Sequence, residues 1–165
     1  MPVGRFYAGI AAVVWSPRTS QYLLLRRSEA KDYARGIWEC VTGRVDQGEG
    51  FEDALHREVR EELGVEVQVE HILGTIHFYR GAPTPVNELV GVVYLCSLQD
   101  PASIHISPEH SEYRWLSARE ALKLLSPADP STQWARRVIE RAEAIRPLLA
   151  KNLVSFQNRA GFELG

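Results

Sequence analysis

Three glutamates, Glu58, Glu61 and Glu62, fall on one side of a single helical stretch inside the segment GRVDQGEGFEDALHREVREELGV, Gly43 to Val65. At about 100° per residue, spacings of i, i+3 and i+4 place the three carboxylates within roughly a quarter of the helix circumference. Like charges so spaced cost an isolated helix about 0.2–0.5 kcal/mol per pair. The arrangement gains nothing unless something positive sits among the carboxylates. A hard divalent cation meets that need, and Mg²⁺ takes one or two protein carboxylates together with water and phosphate oxygens. Metal-assisted phosphate chemistry is what this cluster implies.

The rest of the helix fits a surface element with one buried face. Phe51, Leu55, Val59 and Leu63 form its apolar stripe, with Ala54 alongside, and Gly64 is the expected C-terminal cap. The helix is predicted over Phe51 to Leu63, with the glutamates at the edge of the core. Before it, Tyr7 to Trp15 and Tyr22 to Leu25 read as strands joined into a hairpin by Ser16-Pro17-Arg18-Thr19-Ser20. Ile37 to Val41 reads as a brief strand ended by Thr42-Gly43, and Arg44 to Gly48 as a polar loop. After it come strands at Val65 to Val69, Gly74 to Tyr79, Leu89 to Ser97 and Tyr113 to Leu116. Two helices close the chain: Ala118 to Leu125, with a capping box from Ser117 and Glu120, and about Thr132 to Arg146, stopped by Pro147.

The 165 residues fit one domain with a proper core, and no repeat or linker divides them. The tail from Leu148 to Gly165 has no clear period and is expected to pack on the domain or to form a homodimer contact. A net charge of −2 argues against a nucleic-acid polymer as partner. Cys40 and Cys96 lack the spacing of a disulfide framework or zinc site, so a reducing cytoplasm is the expected location. No apolar run approaches the ~18 residues of a membrane span. The N-terminal MPVGRFYAGIAAVVW reads as a first core strand, not a signal peptide.

Spacing then adds to chemistry. Gly43 is followed by Glu49 six positions on, then Arg57-Glu58, aliphatic Val59, Glu61-Glu62, Gly64 and aliphatic Val65. This pattern resembles the complete signature of the Nudix hydrolase family, with every specified position filled. Trp38-Glu39-Cys40-Val41-Thr42 ahead of it, and Glu109-His110 with Tyr113-Arg114-Trp115-Leu116 beyond it, are similar to flanking segments of the same family. The resemblance implies an α/β fold, an α/β/α sandwich around a mixed β-sheet. It also implies hydrolysis of a diphosphate linkage in a nucleoside diphosphate derivative, with Mg²⁺, or Mn²⁺ in its place, as cofactor.

On that resemblance Glu58 and Glu62 are the metal ligands, Glu61 is a third or bridging one, and a backbone carbonyl of Thr42 or Gly43 completes the set. Glu49 and Arg57 look like a supporting pair, because a guanidinium holds a carboxylate in two-point contact. Glu58 and the distal Glu109 are the candidates for the general base; Glu109, between Pro108 and Glu112, either takes part in the site or lies in an exposed loop. Arg26 and Arg27 either contact substrate phosphates or are strand-end charges in water. Trp38, Phe78 and Tyr79 either stack a base or pack as rim and core. His71, His77, His105 and His110 lack metal-binding spacing and are given no role.

Two functions compete. The first is a pyrophosphohydrolase acting on a nucleoside-triphosphate-like substrate to release a monophosphate and pyrophosphate. The Trp38 to Gly43 lead-in with its threonine resembles members that cleave dihydroneopterin triphosphate or (d)NTPs, whereas ADP-ribose, sugar nucleotides and dinucleoside polyphosphates are alternative substrates. The second is a non-catalytic nucleotide-binding sensor module. Such modules lose signature carboxylates, and none is missing here.

Overall fold

The structure, a computed structural model, describes residues 4–30 and 34–165, so the first three residues of the N-terminal segment lie outside it. Alternation along the first strand, β1 (Tyr7–Ser16), decides the architecture. Ile10, Ala12 and Val14 are buried on one face of the sheet, Ala11 and Val13 on the other. A strand apolar on both sides must be covered on both sides, and each face here has its own core. The first face packs against α1 (Phe51–Leu63) through Ala54, Leu55, Val59 and Leu63. The second packs against α2 (Ala118–Leu124) and α3 (Pro130–Ile145) through Ala121, Ala135, Ile139 and Ala142. Each fully buried leucine contributes about 1.5–3 kcal/mol relative to exposure. The result is the expected helix–sheet–helix sandwich.

Among the described residues seven strands form one mixed sheet. The others are β2 (Gln21–Arg27), β3 (Trp38–Glu39), β4 (Val41–Arg44), β5 (Gln68–Tyr79), β6 (Glu88–Ser97) and β7 (His110–Leu116). The central order is β3-β2-β1-β6-β5, with β1 and β6 parallel and the other pairs antiparallel. The expected hairpin forms, but β1 pairs β2 only through Trp15 and Ser16. Further back the same edge of β1 pairs β4, with Ile10 opposite Gly43 and Ala11 opposite Thr42. That handover carries Thr42 and Gly43 to the middle of the molecule, directly before α1.

Three segments differ from the sequence expectation. The brief strand at Ile37 to Val41 is two strands that break at Cys40 and run on through Arg44, because β3 pairs β2 while β4 pairs β1. The two strands expected at Val65 to Val69 and Gly74 to Tyr79 are one, β5, whose irregularities between Val69 and His71 and between Ile72 and Gly74 obscure the period. The tail is not aperiodic: it forms α4 (Lys151–Ala160), which lies against β5. Beyond α4, Phe162 meets Tyr94 edge to face at 5.8 Å.

The remaining expectations are met locally. Ser117 and Glu120 form the capping box that starts α2. Gly64 sits at φ 67°, ψ 19°, the left-handed conformation that ends α1 at little cost for glycine. Cys40 and Cys96 are free and buried on opposite faces of the sheet, where burial pushes both thiols up. No helix among the described residues is long and apolar enough to cross a membrane.

Candidate active site

Arg57 occupies the centre of the glutamate cluster. Its Nε and Nη2 donate to the two oxygens of Glu49 at 2.7 and 2.9 Å, a two-point contact. Nη1 donates to Glu58 at 2.8 Å and to Glu61 at 3.3 Å, and Nη2 also donates to the Arg44 carbonyl at 2.8 Å. One guanidinium thus relieves part of the repulsion that the sequence pattern poses. The arrangement lowers the Glu49 carboxyl to about 2, chiefly through the hydrogen bonds from Arg57, helped by the Asp46 amide.

Arg57 makes no bond to Glu62, whose charge Arg27 offsets in part. The Glu62 side chain is 7% exposed and its Oε2 is a buried atom without a hydrogen-bond partner. Burial raises its carboxyl well above the ordinary value, and the charges of Glu39, Glu58 and Glu109 raise it further. The Glu58 carboxyl is also raised, first by burial, with Arg57 opposing and Glu61 and Glu109 adding to the shift. Glu58 lies hard against β4: a Cβ placed on Gly43 would stand 2.0 Å from its carboxyl carbon. A side chain at position 43 would displace the Glu58 carboxylate from this place.

Glu58, Gly43 and Thr42 line one end of a cleft of about 860 Å³. Glu109, Arg27 and Glu39 line it too, and Glu62 stands next to three of these carboxylates. The loop before β7 reaches α1 through two backbone bonds, His105 N to Leu63 O and Ser107 N to Glu62 O, both 2.9 Å. That docking brings Glu109 and His110 to the cluster. Tyr79 and Phe78 from β5 and Trp134, Arg137 and Arg141 from α3 line the same cleft. Arg141 is braced by a 3.2 Å bond to the Leu73 carbonyl. The α3 C-terminus is tied to the sheet by Arg146, which bonds Glu143 at 2.8 Å and lies over the Trp15 ring at 4.4 Å.

The structure therefore brings Glu58, Thr42, Gly43, Glu109, Arg27 and Tyr79 to the cleft. It does not bring Arg26 or Trp38 there. Strand alternation turns Arg26 away from Arg27, toward Glu29 and Glu112 at 3.9 Å each. Trp38, opposite Arg26 in the β2–β3 pair, lies under the Arg114 guanidinium at 4.8 Å and packs on the α2–α3 face. Glu61 and Glu62 also stay outside the lining, Glu61 60% exposed and held by Arg57, Glu62 buried.

Residues that fit a divalent cation are present in two respects. An unpaired buried carboxylate oxygen on Glu62 calls for a positive partner, and the glycine cradle seats the Glu58 carboxylate against the chain entering the helix. Among the described residues no three His, Cys, Asp or Glu side chains form a metal-holding group by themselves. Water, joined by substrate oxygens once substrate is bound, would supply the remaining ligands, as Mg²⁺ sites commonly require.

Sequence reading missed Glu39, Trp134, Arg137 and Arg141. For Glu39 the signal was a lone carboxylate between Trp38, Cys40 and Val41 in a strand otherwise suited to burial. For the α3 residues it was the i, i+3, i+7 spacing of 134, 137 and 141, which puts them on one helix face.

A family model described as the NUDIX domain matches residues 6–142. Dihydroneopterin triphosphate diphosphatase of Escherichia coli (strain K12) is 28% identical over 127 residues, covering 70% of this chain and 81% of the relative. CTP pyrophosphohydrolase of the same strain is 31% identical over 121 residues, 73% of this chain and 83% of the relative. Among solved structures, a MutT protein from Methanosarcina mazei Go1 superposes with a TM-score of 0.69 at 25% identity, covering 88% of this chain and 99% of that one.

Proposed function

The chain belongs to the Nudix family, hydrolases of pyrophosphate bonds in nucleoside diphosphate derivatives, and from that membership we propose a divalent-metal-dependent enzyme that cleaves a nucleoside-triphosphate-like substrate to a monophosphate and pyrophosphate. The observation that carries the metal requirement is the buried, unpaired Oε2 of Glu62 beside Glu58 and Glu109. Several buried carboxylates offset only in part by Arg27 and Arg57 are costly, and a cation shared with the substrate's phosphates would supply the missing charge.

Glu58 and Glu62 hold the metal with the backbone carbonyl of Gly43 or Thr42. Glu61, outside the cleft, supports them through Arg57. Mg²⁺, or Mn²⁺ in its place, neutralises phosphate oxygens and makes water a stronger nucleophile at neutral pH. Both candidates for the base, Glu58 and Glu109, line the cleft. Arg27 and Arg137 meet phosphates, and Trp134 with Tyr79 offers aromatic faces to the group carried beyond the diphosphate. Names of relatives that act on dihydroneopterin triphosphate and CTP support a triphosphate substrate.

The deciding assay offers (d)NTPs, dihydroneopterin triphosphate, ADP-ribose, sugar nucleotides and dinucleoside polyphosphates with Mg²⁺ and measures released pyrophosphate and phosphate. Pyrophosphate from a triphosphate is the expected product. A strong preference for ADP-ribose over every triphosphate would overturn the substrate class, and binding with no turnover of any compound would favour a sensor.

A further inference from the structure

Behind Glu62 three strands deliver three polar side chains in a row. Arg27 of β2 donates from Nη1 to Glu39 Oε1 at 2.9 Å, and His110 of β7 stands with Nε2 at 3.2 Å from the same oxygen. The other ring nitrogen, Nδ1, faces Glu62 Oε2 at 3.9 Å. The His110 side chain is 2% exposed and that of Glu39 10%.

A carboxylate in contact with Arg27 is an acceptor, so Nε2 is the donor in the bond to Glu39. That bond fixes the plane of the ring and aims Nδ1 at α1. His110 Nδ1 and Glu62 Oε2 are both buried, both without a hydrogen-bond partner, and face each other. The gap is about 1 Å beyond a hydrogen bond, a distance within the reach of a side-chain torsion. Neither Glu39 nor His110 belongs to the signature segment, yet His110 faces the one glutamate among its specified positions (Glu49, Glu58, Glu61 and Glu62) that Arg57 does not touch.

We propose that His110, held by Glu39 and Arg27, is a positioning residue for Glu62: carrying a proton on each ring nitrogen between two carboxylates, it donates from Nδ1 to one Glu62 oxygen and leaves the other to meet a divalent cation. The inference rests on the cation reading of this site. Partners behind a metal ligand fix its orientation, and losing one typically weakens metal affinity about 10–100-fold.

The test is Mn²⁺ binding to the substrate-free protein, followed by calorimetry and by Mn²⁺ spin resonance, with circular dichroism as the check on folding. His110→Asn places a polar group near the Nδ1 position, and His110→Gln places one near Nε2. The proposal expects Asn to keep most of the affinity and Gln, like His110→Ala, to lose about 10–100-fold. Glu39→Gln, which keeps the volume and frees the ring, is expected to lose affinity to an intermediate extent. A residue that merely fills space or satisfies Glu39 would favour Gln over Asn. Affinities within twofold of wild type in the Gln and Ala variants, or Gln exceeding Asn, would overturn the role of His110 alone. A wild type that binds no Mn²⁺ would overturn the cation reading and this inference with it.

Discussion

Glu163 Oε1 accepts a hydrogen bond from the backbone N–H of Glu52 at 3.0 Å, and the Glu52 carboxylate accepts in return from the N–H groups of Phe162 at 2.6 Å and Glu163 at 3.3 Å. The first turn of α1 is thus closed by a reciprocal clasp spanning 111 residues of sequence. Gly50, at the N-cap, has no side chain to do that work, and a Cβ there would stand 2.1 Å from a Glu163 oxygen. The helix that carries Glu58 and Glu62 is capped by the tail. Replacing Glu163 by Ala is expected to cost about 0.5–1 kcal/mol, the lower part of the range for lost caps. For a chain of this size that lowers Tm by about 1–4 °C, read by thermal unfolding. Gly50→Ala should destabilise wild type more than it destabilises Glu163→Ala, since both act on one contact.

Arg57 supplies the second prediction. Lysine keeps the charge but cannot reach Glu49 at two points while also bonding Glu58 and the Arg44 carbonyl. Arg57→Lys is expected to lower kcat about 10–100-fold with the fold intact. The Arg57→Lys rate should not recover at higher metal concentration if orientation, not occupancy, is what is lost. Steady-state kinetics at two Mg²⁺ concentrations checks this.

The same pair gives a pH prediction. Glu49 has a folded-state value of about 2 against an ordinary 4.5, so its contribution to stability is complete above 4.5 and disappears as pH falls toward 2. Unfolding in denaturant at a series of pH values should show wild type and Glu49→Gln differing most above pH 4.5. The difference should narrow steadily through the window below it.

Removing or adding the cation tests the carboxylates without substrate. At 100 times its dissociation constant a ligand that binds only the folded state stabilises it by about 2.7 kcal/mol. For this chain length that is a rise in Tm of about 5–11 °C with Mg²⁺ or Mn²⁺, abolished by chelator. Glu62→Gln should lose most of the rise. Without metal the same variant should be no less stable than wild type, because it no longer buries a strained carboxylate.

How much of this was legible in sequence depends on whether a residue's partner was local. The helix Phe51–Leu63, its buried stripe, its glycine cap and the Ser117–Glu120 box all depend on contacts within a few residues, and the spacing shows them. The bonds from Arg57 to Glu58 and Glu61 are local too, but they depend on the rotamer of a long side chain, which spacing alone does not reveal. Glu39 and His110 lie 71 residues apart, and only the β2–β3 and β2–β7 pairings bring them together. Arg26 and Trp38 failed for the opposite reason. Strand alternation assigns them to the face away from the carboxylates, and the break at Cys40 hid which face that was. The tail's helix was obscured because its contacts with β5 are long-range, and Leu153 and Phe156 on it stay exposed.

The α3 wall separates substrate binding from chemistry. Arg137 is exposed, carries no core packing and faces the cleft, so Arg137→Ala should leave Tm unchanged. Its contact is expected to be made equally in ground and transition states, which raises KM without lowering kcat. A single charge-assisted contact at an exposed site corresponds to about 1 kcal/mol, or roughly a fivefold rise in KM. Trp134→Leu, which keeps an apolar side chain against the α2–α3 core, should raise KM by about 5–100-fold if an aromatic ring stacks there. Kinetics with a nucleoside triphosphate and with inorganic triphosphate distinguishes the two positions. The Arg137 effect should persist with inorganic triphosphate, and the Trp134 effect should vanish, because that substrate has no ring to stack.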